Sequence, residues 1–355
     1  MGESVLILPR ISTQLRPKRR LLSFVLAILV LPAFLAGCVT PENGAVVQDE
    51  RLLPQPLRTL GLTVHHAGLA TGSYSWGIDD PAEVADDAIA RVKRACSGNR
   101  PSVTWLGHSA AIIHIGGRCL LTDPVLEPQI SPLSPLPTSL VDNPVRVEHL
   151  PEIDAIILSH GDYDHLHTPT IRALAQRFPE ADIIVPLGIA STVVRAGYPI
   201  VNELQLGETA RIDGLRITAV HAYHETRRNV AAAKSGEAVS WIITDGRKKI
   251  LFIGDTGYGP TFKEIGRAHG PFDLLLVPMG AFEPRELVAD MHANPEEAAM
   301  IARDVRARRA IGIHWGTFAL SPERPQEAAS RFLAAGRELR VDTRVMAIGE
   351  TVLVP

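Results

Sequence analysis

Four apolar runs, each leading into a residue that can hold a metal, constrain this chain more than any other feature. AIILS at 155–159 runs into His160, ILFIG at 250–254 into Asp255, and AIGI at 310–313 into His314. RITAV at 216–220 is followed closely by His224. Short apolar runs bounded by polar residues read as buried strands. In open α/β sheets, groups at strand ends meet at one edge of the sheet. The pattern therefore predicts an α/β protein whose titratable residues gather at a single edge.

The run at 155–159 opens the densest stretch, LSHGDYDHLH at 158–167. It carries His160, Asp162, Asp164, His165 and His167 within eight residues. Read alone, it could be a loop capping a helix. Read with the other strand ends, it supplies most of a seven-residue set: His160, Asp162, Asp164, His165, His224, Asp255 and His314. Imidazole suits zinc, iron and nickel, while carboxylate also suits manganese. Seven such groups fill two metal sites when one carboxylate is shared, and a metal pair of that kind hydrolyses esters, amides and phosphodiesters without a side-chain nucleophile. His65, His66, His114, His149 and His269 fit ordinary surface or core roles, and His221 rivals His224 from three residues earlier.

The rest of the chain supplies the frame. Strands are predicted at 103–106, 111–115, 118–122, 154–159 and 182–187, then at 215–221, 238–244, 249–254, 273–278, 310–314, 343–347 and 351–354. Gly116-Gly117 reads as a hairpin turn. A helix is predicted over 81–95, with Asp80 as cap, Pro81 in its first turn and Glu83 completing a capping box. A second starts at Thr168-Pro169 and a third covers 295–306, with Asn294 as cap and Glu297 reaching back. Positions 123–151 are proline-rich and aperiodic, which fits a lid or binding loop, or plain surface packing.

The N-terminus has a different character. Arg16, Lys18, Arg19 and Arg20 precede the apolar run 21–36, which is short for a membrane span and suits a secretory signal. It ends in LAGC and resembles a lipoprotein lipobox, which implies cleavage after 37 and lipidation of Cys38. Val39 beside that cysteine resembles the sorting pattern for the outer membrane, facing the periplasm. Positions 38–80 read as a tether and extension, with the folded domain over 81–355. From Cys38 onward the chain has 31 basic and 38 acidic side chains, a balance of −7. That excludes nucleic acid as an obvious partner, since phosphate contact needs a basic face. Cys96 and Cys119 could pair in an oxidising compartment or stay as two buried thiols.

From about position 100 onward the chain resembles the metallo-β-lactamase superfamily. Within it the nearest likeness is to the branch of N-acylphosphatidylethanolamine-hydrolysing phospholipase D and related lactonase-like proteins. The resemblance rests on TWLGHSA (104–110), LLTDPVL (120–126), IDAIILSHGDYDHLH (153–167), FIGDTGYGPTFKEIG (252–266), GPFDLLLVPMGAFEPR (270–285), MHANPEEA (291–298) and IHWGTFAL (313–320). It implies an αββα sandwich with a two-metal site at one edge and zinc as the metal. It also implies a bridging role for Asp255, and head-group contacts for Tyr163 and His292, with Asp255 and His292 serving catalysis.

Two positions depart from the family pattern. Asp162 stands where the second histidine is expected, which shifts the first site toward manganese or iron. His167 replaces an acidic residue and could itself take up a ligand role. The resemblance implies a phospholipid phosphodiesterase held at a membrane by its lipid anchor. A hydrolase of lactones or other small esters, and a non-catalytic metal- or lipid-binding envelope lipoprotein, are the alternatives.

Overall fold

The computed structural model describes residues 52–54, 57, 58, 61, 80–130, 139–226, 228 and 236–355. The signal segment 1–37, Cys38 and most of 38–80 lie outside the described residues. Among those described, no helix is long and apolar enough to cross a membrane.

Along the chain come helix α1 (Ala88–Lys93) and strands β1 (Ser102–Gly107), β2 (Ala110–Ile115), β3 (Arg118–Thr122) and β4 (Ala155–Ile157). Then follow α2 (Thr168–Arg177), β5 (Asp182–Pro186), α3 (Ala190–Ala196), β6 (Asn202–Leu204), β7 (Thr209–Ile212), β8 (Leu215–His221), β9 (Val239–Thr244) and β10 (Lys249–Phe252). The C-terminal part has α4 (Thr261–His269), β11 (Leu274–Pro278), α5 (Arg285–Val288), α6 (Pro295–Asp304), β12 (Arg309–Ile313), α7 (Pro325–Leu339), β13 (Asp342–Arg344) and β14 (Thr351–Leu353).

The strands form two seven-stranded sheets, ordered β14-β1-β2-β3-β4-β5-β6 and β13-β12-β11-β10-β9-β8-β7. Each is antiparallel on one side and parallel on the other, the change falling at β3 in the first sheet and β10 in the second. β1, β2, β9 and β11 are buried at every residue. A strand hidden on both faces needs a layer on each side. The two sheets stack on one another: Trp241 Nε1 on β9 donates to Leu158 O beyond β4, and Val239 N donates to Ser159 O. α6 packs on β11 and β12 and against α4 and α7. The result is the expected αββα sandwich.

Several local expectations hold. Gly116 and Gly117 both have positive φ and turn β2 into β3, as a tight hairpin requires. Asn294 accepts from Glu297 N while Glu297 accepts from Asn294 N, closing the capping box of α6. Cys96 and Cys119 form a disulfide with Cα atoms 5.8 Å apart, which resolves the two alternatives in favour of pairing.

Others are corrected. No helix starts at Pro81. Ala82 N donates to Gly316 O and Ala85 N to Ile348 O, and Val84 bridges Ile348. These tertiary hydrogen bonds hold 82–85 extended, so α1 begins only at Ala88. α2 starts one residue earlier than expected, with His167 rather than Thr168 at its N-cap. In the proline-rich connection Val125, Leu126, Val145 and Leu150 are buried, while 131–138 lie outside the described residues. Leu53 N donates to Glu286 O, and buried Arg58 donates to Leu287 O and pairs with Asp290, so these residues of the expected tether are docked.

Candidate metal centre

All seven sequence-predicted ligands reach one edge of the sandwich. β1, β3 and β4 of the first sheet and β8, β10 and β12 of the second end there, because each runs parallel or two strands removed from its neighbour in this set. The loop after β4 brings His160, Asp162, Asp164 and His165. His224 follows β8, Asp255 follows β10, and His314 follows β12. His292 enters from the loop between α5 and α6.

Backbone packing sets these side chains. Gly254 has φ +71, and a Cβ there would lie 2.3 Å from Ser159 Cβ. The exit of β10 therefore approaches the exit of β4 closely enough to bring Asp255 against His160 and His165. Only glycine fits such an approach at positive φ. His314 takes φ +61, and its N donates to His108 O at 2.9 Å.

Asp255 sits between two groups. Its Oδ2 is 4.0 Å from His160 Nε2 and 3.3 Å from His165 Nε2, and its Oδ1 is 3.1 Å from His314 Nε2. On one side Asp162 Oδ2 lies 3.5 Å from His160 Nε2 and 3.2 Å from His224 Nε2. On the other, Asp164 Oδ2 lies 3.5 Å from both His165 Nε2 and His314 Nε2. Two ligand atoms about 2.1 Å from one ion at a tetrahedral angle are about 3.4 Å apart, and most of these separations are close to that value.

The same atoms are short of partners. His160 Nε2, His165 Nε2, His314 Nε2, Asp255 Oδ1 and His292 Nδ1 are buried without a hydrogen bond. Unsatisfied buried polar atoms are rare and ask for a reason. Here they cluster, and the sets His160/Asp162/His224 and Asp164/His165/His314 can each hold an ion, with Asp255 reaching both. The donors present fit a pair of divalent cations.

Charge is strongly coupled across the cluster. Burial works against ionising Asp162, Asp164 and Asp255, but the surrounding imidazoles outweigh it and hold all three below the usual carboxylate range. Burial likewise opposes a charge on His165 and His314. Asp255 and Asp164 overcome it, lifting His165 well above the ordinary value and His314 to about 9. Burial brings His292 down to about 3, leaving it neutral. Its Nδ1 is 3.8 Å from Asp255 Oδ2. Arg285 holds the His292 carbonyl at 2.7 Å while its other nitrogen makes a two-pronged pair with Glu297.

The rival positions fall outside the cluster. His221 is exposed and packs on Tyr223. His167 Nδ1 is 2.8 Å from Thr170 Oγ1 at the head of α2. Tyr163 lies on the ligand loop under the Arg228 guanidinium, 4.2 Å from the ring centre. Arg228 also donates to Gly161 O and Leu166 O, each at 2.7 Å, which ties that loop down.

Two residues escaped the sequence reading. Asp123, at the end of β3, accepts from Ser159 N at 2.7 Å and from His165 Nδ1 at 2.7 Å. The second bond fixes the tautomer that turns the His165 Nε2 lone pair into the site. His108, after β1, has Nε2 3.0 Å from Asp164 Oδ2. Both follow apolar runs, VTWLG and CLLT, so the strand-end pattern was present in their sequence too.

Comparison with known proteins follows the same lines. Residues 118–315 match the family described as beta-lactamase superfamily domain. An uncharacterised protein of Mycobacterium tuberculosis is 37% identical over 72% of this chain and 69% of its own length. The N-acyl-phosphatidylethanolamine-hydrolyzing phospholipase D 1 of Caenorhabditis elegans is 34% identical over 61% of this chain and 64% of its own. Among solved structures, Igni18, a metallo hydrolase of Ignicoccus hospitalis, covers 72% of this chain and 98% of its own, with TM-score 0.52 and 22% identity.

Proposed function

The chain belongs to the metallo-β-lactamase superfamily, and on that premise we propose that it is a metal-dependent hydrolase of phosphodiesters, of phospholipase D type. The substrate class is N-acylphosphatidylethanolamine-like lipids. The observation that carries this reading is the convergence of His160, Asp162, Asp164, His165, His224, Asp255 and His314 into two sets, in which His160, His165, His314 and Asp255 keep buried atoms without a hydrogen bond. The named activity of the Caenorhabditis elegans relative favours the phosphodiester over other esters.

Two bound divalent ions would supply a water of lowered pKa and a positive field for the phosphoryl oxygens. Zinc is the expected metal, with manganese or iron favoured in the first site by the carboxylate of Asp162. The protein's own groups do the positioning. Asp255, whose oxygens face His160 on one side and His165 and His314 on the other, would be the residue shared by both sites. Asp123 orients His165. His292, neutral and half-buried, suits donation of a hydrogen bond to a phosphate oxygen better than protonation of the leaving group, because a group of pKa about 3 carries little proton at neutral pH. Tyr163, on the ligand loop beneath Arg228, is the candidate for contact with the head group.

For location, we read residues 1–37 as a signal peptide and Cys38 as the lipidated residue of an envelope lipoprotein, facing the periplasm from the outer membrane. The Cys96–Cys119 disulfide supports an oxidising compartment.

The test is direct. Protein starting at Val39, loaded with zinc or manganese, is offered N-acylphosphatidylethanolamine vesicles, a soluble phosphodiester and a lactone. The reading expects water to split the lipid into phosphatidic acid and an N-acylethanolamine, with loss of activity in Asp255→Ala. Lactone turnover without phosphodiester turnover would replace it with the small-ester reading. No turnover by a chain that holds two metals would favour a non-catalytic lipoprotein.

A further inference from the structure

We infer that His108 is a fifth protein ligand of the second metal site, beside Asp164, His165, His314 and Asp255. This rests on the two-metal reading above and adds a residue outside the seven that the sequence pattern and the family resemblance supply.

The geometry carries it. His108 Nε2 is 3.0 Å from Asp164 Oδ2. Donor atoms of His108, Asp164, His165 and His314 all lie within 4.8 Å of one another. The His108 ring centre is 4.0 Å from that of His314 and 5.1 Å from that of His165. Two ligands about 2.1 Å from one ion and at right angles are about 3.0 Å apart, against about 3.4 Å at a tetrahedral angle. The 3.5 Å edges from Asp164 to His165 and His314 fit the wider angle. The 3.0 Å edge to His108 fits the narrower one, which a site with more than four ligands requires.

The backbone holds the ring in this position. His108 takes φ +51, a conformation uncommon outside glycine. Three hydrogen bonds fix it: its N donates to Thr317 Oγ1 at 2.8 Å, and its carbonyl accepts from Trp105 Nε1 and from His314 N, both at 2.9 Å. His108 and His314 are thus joined through the main chain and move as a unit. The ring is buried, with Phe318 against its edge.

The consequence is an asymmetric pair. The first site has four protein ligands, His160, Asp162, His224 and Asp255. The second has five, three of them imidazoles. A five-ligand site disfavours zinc relative to metals that accept five or six ligands, such as manganese, iron or cobalt. Open coordination positions are left mainly on the first metal, which places the substrate's exchangeable contacts there.

The rival explanation is that His108 only donates a hydrogen bond to Asp164. The experiment separates the two by cobalt titration of the metal-free full chain, read by visible absorption. Tetrahedral cobalt absorbs several-fold more strongly than five- or six-coordinate cobalt. Two variants are compared: His108→Asn, since asparagine tolerates positive φ, and His108→Gln, whose amide can still donate to Asp164. The proposal expects two cobalt ions in the wild type, the second bound about 10–100-fold more weakly in both variants and absorbing more strongly there. An unchanged second ion in His108→Asn, or full recovery in His108→Gln, would overturn it while leaving the two-metal reading intact. A wild type that binds one ion or none would remove both. X-ray absorption on the wild type is independent of any variant's folding: five imidazoles over two metals supports the proposal, and four contradicts it.

Discussion

Asp162 Oδ2 lies 3.2 Å from His224 Nε2, so a carboxylate closes the first site where the family pattern has an imidazole. The contact to His160 Nε2, at 3.5 Å, completes the triangle. Asp162 therefore stands where it could serve as a ligand beside His160 and His224. Asp162→Ala is expected to weaken the first ion about 10–100-fold and leave the second in place. Asp162→His is expected to keep both ions and to raise the share of zinc over manganese. Elemental analysis of both variants, grown in medium with equal zinc, manganese and iron, checks this.

Protons compete with the metals. His314, at about 9, is charged at pH 7 in the metal-free chain, and the same carboxylates lift His165 well above the ordinary imidazole value. Ligands must be deprotonated to bind. Loading the second site at pH 7 should therefore release at least the His314 proton, and apparent affinity should rise as pH climbs from 7 toward about 9. Calorimetric titration in two buffers of different ionisation enthalpy measures the proton count.

Glu323 tests the electrostatics beside His314. Its Oε1 accepts from Ala281 N at 2.5 Å, its Oε2 is buried without a partner, and burial raises its pKa to about 7. A carboxyl group raised in the fold favours the protonated form. Stability is therefore lost as pH climbs from the unfolded value, near 4.5, to about 7, by at most about 1.4 kcal/mol per pH unit. Glu323→Gln is neutral throughout. In metal-free protein, its Tm relative to wild type should improve between pH 5 and pH 8, with no further gain above.

The Cys96–Cys119 bond closes a loop with a sequence separation of 23, joining the segment after α1 to β3. Loop-closure entropy for that length is worth about 3 kcal/mol. Cys96→Ser with Cys119→Ser should lower Tm by roughly 5–10 °C for a domain of this size. Metal content should be unchanged, because neither cysteine touches the cluster residues. Scanning calorimetry with and without reductant gives the same comparison on the wild type.

Much of this centre was legible in the chain. Strand ends are short, apolar and punctuated, so His160, Asp255 and His314 announce themselves by position. The capping box at Asn294 and the Gly116-Gly117 hairpin are local devices, and local devices survive folding. The failures are tertiary. Positions 81–85 have good helix-start residues, yet hydrogen bonds to Gly316 and Ile348 hold them extended. β6 and β7 escaped because NEL and TARI lack an apolar run; as partly exposed outer strands they need none. His108 escaped although it follows β1 directly, because only the assembled edge brings its ring beside Asp164 and His314. Asp123 escaped because its work is done through His165 rather than on the ion. Neither role can be read until the sheet edge is assembled.

The central claim is a two-metal site built on Asp255. It is tested most directly by counting metals in protein expressed from Val39 and purified without added metal, beside Asp255→Ala prepared in parallel. The account predicts close to two divalent ions per wild-type chain. It predicts fewer than one in Asp255→Ala, with phosphodiester turnover down on the order of 10²–10³-fold. A wild type with one ion or none, not restored by zinc, manganese or iron, would contradict it, as would an Asp255→Ala chain that keeps both ions.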